Sequence, residues 1–268
     1  LKSMGFNWDF APCLDINSNP FNPVIGLRSF SEEASLVSEM GVEFIKGLES
    51  KGVIATGKHF PGHGDTLVDS HLDLPVLNYE EEFLMKREFQ PFVKAIKSGL
   101  KTIMTAHIAL PKIDESMLPA TLSKKLINGL LRKKLGFRGV VITDSLLMKA
   151  VYDRFEVKDI VKLSLEAGCD ILLMSYNKDF IYEVKDSIIE LAEKNVLDLK
   201  RIKESLKRID NLRKSLQPTP IERKVSNLEE VFKESVKILR DNRKTIPLRT
   251  GVSIQLLLPK FKSLIPVS

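Results

Sequence analysis

The sequence predicts an α/β protein built on a parallel sheet. Three observations carry that expectation. Short apolar runs read as buried strands, amphipathic stretches with helical periodicity lie between them, and the runs recur about every 30 to 50 residues, the length of a βαβ crossover. The strand candidates are 6–11, 53–56, 102–106, 140–143 and 171–174. Between and after them come helix candidates at 31–50, 79–98, 123–135, 158–167, 178–194 and 199–216. The first opens on Ser31-Glu-Glu, a sequence suited to an N-cap, and stops before Gly52; Gly136 and Gly168 stop two others.

After residue 216 the texture changes. Gln217-Pro-Thr-Pro-Ile-Glu222 is a proline-bearing connection, so a boundary is expected at 217–226. Beyond it a helix pattern at 228–241 and a strand pattern at 253–258 follow. Residues 227–268 are too few to bury a core alone and read as the start of a second α/β domain.

Composition excludes several classes. The 268 residues are 43% hydrophobic and 28% charged, ordinary for a globular domain. No stretch of about 18 uninterrupted apolar residues exists, so no span of a bilayer is expected. The net charge of +6 comes from lysines scattered over helical faces, not from basic runs interleaved with aromatics, which argues against nucleic acid as a partner. Cys13 and Cys169 each sit in an apolar strand-like context and read as buried free thiols.

Polar residues gather where strand candidates end: Asp15 and Arg28 after the first, Lys58 and His59 after the second, His107 after the third, Asp144 after the fourth. A (β/α) barrel brings such positions to one rim, and a doubly wound open sheet brings them to one edge. The densest segment is Lys58-His-Phe-Pro-Gly-His-Gly-Asp-Thr-Leu-Val-Asp-Ser-His71, which carries three of the four histidines. Three chemistries could use it. A metal site would want H-x-H on a strand or HExxH on a helix, and neither is present, while Lys58 would repel a cation; neither metal nor other cofactor is expected. A structural loop would use His63 and Asp65 to fix the turn. Acid–base catalysis would use His71, with Asp69 two residues before it to set the tautomer and orientation of the imidazole. Glycoside cleavage needs a second group, and Asp144 at the end of an apolar strand is the candidate, its competing reading being a helix N-cap.

These segments resemble a known family. K-H-F-P-G-H-G-D-T-x-x-D-S-H is similar to the hallmark of the β-N-acetylglucosaminidase branch of family-3 glycoside hydrolases, and Gly139-Val-Val-Ile-Thr-Asp144-Ser-Leu-Leu-Met to its nucleophile segment. Asp9-Phe-Ala-Pro-Cys-Leu-Asp15, Asn22-Pro-Val-Ile-Gly-Leu-Arg28, Met104-Thr-Ala-His107 and Leu118-Pro-Ala-Thr-Leu-Ser123 also fit. The likeness covers residues 5–216, and 234–248 resembles the opening of the family's second domain.

The resemblance implies a (β/α)8 TIM-type barrel, incomplete here, spanning 1–216. It implies that Asp144 is the nucleophile of a retaining exo-β-N-acetylglucosaminidase and that His71, paired with Asp69, is the acid/base. Arg28, Lys58 and His59 would bond the hydroxyls of a terminal N-acetylglucosamine, and His107 would be a wall residue. The implied ligand is a carbohydrate, an N-acetylglucosamine-terminated glycan or muropeptide, with cell-wall recycling as the expected duty. The family's Asp-x-Glu-Gly-Gly-type segment, whose Asp grips the sugar, is not found in the sequence. The 268 residues alone are therefore expected to be inactive or poorly folded. The alternatives are a family-3 phosphorylase or β-glucosidase and, outside enzymes, a carbohydrate-binding protein that kept the fold.

Overall fold

The computed structural model describes residues 1–216. The linker expected at 217–226 and the domain start at 227–268 lie outside the described residues. Within them the expected α/β architecture is present: a parallel sheet of four strands in the order β1 (Trp8–Asp9), β2 (Ile54–Phe60), β3 (Thr102–Thr105), β4 (Val140–Ile142). Each neighbour follows the last through a helical crossover, with α1 (Ala34–Ser50) between β1 and β2 and two helices, α2 (Glu81–Lys86) and α3 (Gln90–Lys97), between β2 and β3. A π-helical segment, Lys125–Lys134, joins β3 to β4. Then come α4 (Lys149–Tyr152), α5 (Val157–Ala167), α6 (Lys178–Glu193) and α7 (Leu199–Lys214).

The expected fifth strand at 171–174 shrinks to a single parallel bridge, Ile142 to Ile171. Its cause is local: Leu173 N donates to the Thr143 hydroxyl at 2.8 Å instead of to a backbone carbonyl, and the ladder stops. The expected helix at 79–98 is two helices. Pro91 in the first turn of α3 has no N–H to continue a helix from behind it, and the break turns Glu88 and Phe89 inward.

Strands β2 to β4 are buried on both faces, as a parallel sheet flanked by helices requires, while β1 at the edge is half-buried. The main core packs Leu14, Ile103 and Val141 with Phe60, Phe89 and Phe92, the rings of Phe60 and Phe92 meeting edge to face at 5.4 Å. At the N-terminal ends of the strands, Asp170 is fully enclosed by Arg132, Arg201 and Arg208 and by Ser205, which fastens α7 to the sheet. The opposite, C-terminal ends are left to the polar residues.

Candidate active site

Pairing between β1 and β2 runs on past the end of β1. Lys58 N donates to Pro12 O at 3.1 Å and Leu14 N to Lys58 O at 2.6 Å, which carries Asp15 alongside His59. The Asp15 carboxylate is fully buried. It accepts from His59 Nδ1 at 2.7 Å, from the backbone amides of His63 at 2.7 Å and His59 at 3.2 Å, and from the Cys13 thiol at 3.0 Å. Burial alone would raise this carboxyl, but His59, His63 and the Cys13 thiol outweigh it and hold the group far below the usual range. Burial, seconded by the Asp15 charge, pushes the Cys13 thiol well up.

On its other side, His59 Nε2 lies 3.2 Å from Arg28 Nη2. A guanidinium only donates, so Nε2 must present its lone pair and the ring proton must sit on Nδ1, facing Asp15. The donor atoms of Cys13, Asp15 and His59 lie within 4.8 Å of one another, and the imidazole and the thiol each bond to the carboxylate. The sequence reading had His59 bonding a sugar hydroxyl; the structure sets its two nitrogens against Asp15 and Arg28. Lys58 is close by, its ammonium lowered by burial and by the Arg28 charge.

The loop after β2 is cross-braced. Gly64 passes so near the preceding segment that a Cβ there would lie 1.6 Å from Ile16 O, so only glycine fits. His63 is buried with Nδ1 2.7 Å from Thr66 Oγ1 and Nε2 2.9 Å from Ser70 Oγ, and burial lowers its pKa to about 4. Asp65 takes bonds from Tyr79 Oη and Arg87, whose Nε reaches Glu88 under the loop. Asn22 ties the Arg28 loop to this one: its Nδ2 donates to His63 O at 2.8 Å and Thr66 O at 3.0 Å, while its Oδ1 accepts from Val24 N and Ile25 N.

At the end of that loop, His71 Nδ1 lies 2.8 Å from Asp69 Oδ1, which also accepts the His71 amide at 2.9 Å. This pair is partly open, with side chains 20% and 14% exposed, so Nε2 can be reached from solvent. The loop is drawn toward the β4 side by Ala150 N, which donates to Ser70 O at 3.2 Å, and by the Arg154–Asp73 ion pair.

Asp144 follows β4 and accepts Ser145 N at 2.7 Å on Oδ1; no hydrogen bond to Oδ2 exists among the described residues. Burial would raise its pKa, yet His59, His107, the Ser145 amide and His71 together hold it below the ordinary carboxylate value. The carboxylate is thus ionised, and His71 is near enough to favour that form. The competing reading of Asp144 as a helix N-cap does not describe this backbone: α4 begins at Lys149 with Met148 before it. His107 is buried, its pKa lowered by that burial. Its Nε2 donates to Ser145 O at 3.0 Å and its Nδ1 lies 2.8 Å from Thr121 Oγ1, so it braces the backbone beside Asp144. Ser175 Oγ, 2.9 Å from Ser145 Oγ, braces it from the other side.

The structure therefore brings Arg28, Lys58, His59 and Asp144 to one end of the sheet, with the Asp69–His71 pair on the loop beside them. Sequence reasoning put Asp15 on that rim without giving it a task, and it missed Thr121 and Ser175. Asp15 was traceable, as a carboxylate ending an apolar strand. The two hydroxyls left no signal, because their partners are 14 and 30 residues away.

Comparison with known proteins places the chain in a family. Residues 1–212 match the Glycosyl hydrolase family 3 N terminal domain. The chain is 36% identical over 284 aligned residues to Beta-hexosaminidase A of Pseudoalteromonas piscicida, covering 92% of this chain and 48% of that protein. Among solved structures it is similar to a glycoside hydrolase family 3 beta-N-acetylglucosaminidase from Paenibacillus, with TM-score 0.80 and 40% identity over 82% of this chain and 42% of the other. It is also similar to the beta-glucoside phosphorylase BglX, with TM-score 0.75 and 29% identity over 80% of this chain and 40% of that one. The chain spans about half the length of the relatives it matches. With the matched domain covering all but the last of the described residues, the chain belongs to glycosyl hydrolase family 3.

Proposed function

We propose that the protein carrying this chain is a retaining exo-β-N-acetylglucosaminidase, with Asp144 as nucleophile and His71 as acid/base. The observation that carries the reading is the pairing of an ionised, half-unbonded carboxylate with a nearby imidazole whose Nδ1 is already held by Asp69. In the first step Asp144 Oδ2 bonds to C1 of the terminal sugar while protonated His71 gives its Nε2 proton to the departing oxygen. In the second, neutral His71 takes a proton from water as the water oxygen displaces Asp144 from C1, restoring both groups. Arg28 and Lys58 hold the sugar's hydroxyls. The reading takes as substrate the terminal N-acetylglucosamine of cell-wall glycans, the duty the resemblance implies.

An imidazole suits this task because the nucleophile must stay ionised while the acid stays protonated. Two neighbouring carboxyls manage that only by displacing each other's pKa. The test is the His71→Ala variant of the protein on a series of aryl N-acetylglucosaminides. Turnover of poor leaving groups should fall about 100- to 10,000-fold, and turnover of the most acidic phenols much less. A loss independent of the leaving group would remove His71 from the acid role.

A second reading follows from the similarity to a beta-glucoside phosphorylase. Neutral His71 in the second step does not repel an anionic acceptor, so phosphate could replace water. Product analysis with and without inorganic phosphate separates the two: sugar 1-phosphate marks the phosphorylase, free sugar the hydrolase.

A further inference from the structure

Asp15 is the most heavily bonded polar group at the site, and the reaction as proposed gives it nothing to do. Its carboxylate is fully buried and accepts from His59 Nδ1, His59 N, His63 N and Cys13 Sγ. The donors are an imidazole, two backbone amides and a thiol, so the carboxylate is held by directional bonds from several sides.

The useful fact is what lies beyond His59. The ring has only two nitrogens, and the second faces the Arg28 guanidinium at 3.2 Å. An imidazole can accept from Arg28 only if its proton is on the other nitrogen, and the buried carboxylate is what holds the proton there. Arg28 itself is otherwise lightly held: its one other hydrogen bond among the described residues is a long one, Nη1 to Val24 O at 3.4 Å. The residue before it, Leu27, is fully exposed.

We propose that Asp15 is the positioning residue of the sugar subsite, acting through the tautomer of His59 to hold the Arg28 guanidinium in place for the substrate's hydroxyls. The chain of control runs from carboxylate to imidazole to guanidinium, and only the last member meets the sugar. The same carboxylate, by accepting the amides of both His59 and His63, fixes where the catalytic loop leaves the sheet. The proposal rests on the glycosidase reading for its consequence in rate, but not for its consequence in structure.

The experiment has two arms, both on the protein that carries this chain. In the first, nitrogen NMR of the His59 ring in the unmodified protein should show the proton on Nδ1. In Asp15→Asn it should show the proton moved to Nε2, because the amide nitrogen then donates to Nδ1. A proton on Nε2 in the unmodified protein overturns the proposal without need of any variant. In the second arm, Asp15→Asn, Arg28→Ala and the double variant are compared on an aryl N-acetylglucosaminide. Each single change should raise KM about 10- to 100-fold, with kcat much less affected, and the double variant should be little worse than either. Losses that multiply in the double variant would show that Asp15 does not act through Arg28, and would overturn the proposal. Absence of turnover by the unmodified protein would instead defeat the glycosidase reading, while the NMR arm still decides the role of Asp15.

Discussion

Two buried aspartates mark the two ends of the sheet, and they are satisfied in opposite ways. Asp170, just before the bridge at Ile171, takes Arg132 Nη2 at 2.7 Å, Arg208 Nη2 at 2.9 Å and Arg201 Nη2 at 3.3 Å. It faces three cations, two of them on the same face of α7 about two turns apart. Asp15, at the other end, is held by amides, an imidazole and a thiol, and the second nitrogen of that imidazole meets Arg28. On the proposed reading these donors aim Asp15 and His59 while leaving Arg28 and Lys58 for the sugar. In a barrel the strand starts serve stability and the strand ends serve chemistry, and the proposed role of Asp15 would divide the two tasks between this pair in that way.

The comparison can be broken from either end. The largest effect should come at the rim: Asp144→Ala is expected to lower turnover at least about 10,000-fold while leaving the melting temperature within a few degrees of the parent. A comparable loss of stability would mean that the rim carries the fold as well. At the other end Asp170→Ala should do the reverse. Removing the carboxylate strands three guanidinium groups in a buried cluster, at a cost of about 3 to 5 kcal/mol in urea denaturation, with the kcat of the remaining folded protein little changed.

A smaller effect tests the catalytic loop. His63 is buried neutral, with its pKa lowered to about 4 from 6.5. Between those values the unfolded chain binds a proton that the folded one does not, so stability rises with pH across the window and is lost on acidification. The full difference is on the order of 3 kcal/mol between pH 6.5 and pH 4. Denaturation midpoints measured over that range should slope for the parent and flatten for His63→Gln. Equal slopes would show that His63 is already charged in the folded state.

Much of the architecture was legible because strand and helix periods differ and because glycine and proline punctuate them. The helix expected at 158–167 is observed as Val157–Ala167, stopped by Gly168 as read. Two misplaced boundaries trace to hydroxyls that bond elsewhere than the pattern suggested. Ser31 caps nothing; its hydroxyl accepts Glu33 N, and α1 starts at Ala34. The Thr143 hydroxyl breaks a strand 30 residues away. At the site, motif spacing singled out the residues that offer charge or protons. It was silent on what holds them, since the tautomer of His59 depends on Asp15 and Arg28, each more than 30 residues from it in the chain.

Asn22 has a durability built into its place in the chain. Its carboxamide joins the loop that holds Arg28 to the loop that carries His71, and an acid in its place would set a negative oxygen against the carbonyls of His63 and Thr66. Asparagine ordinarily ages into aspartate when the following backbone nitrogen loses its hydrogen and closes a ring on the side chain. Pro23 follows Asn22, and its nitrogen has no hydrogen to lose. The splice between the two loops is therefore shielded from that slow decay, and the protein's shelf life should not be limited by this joint.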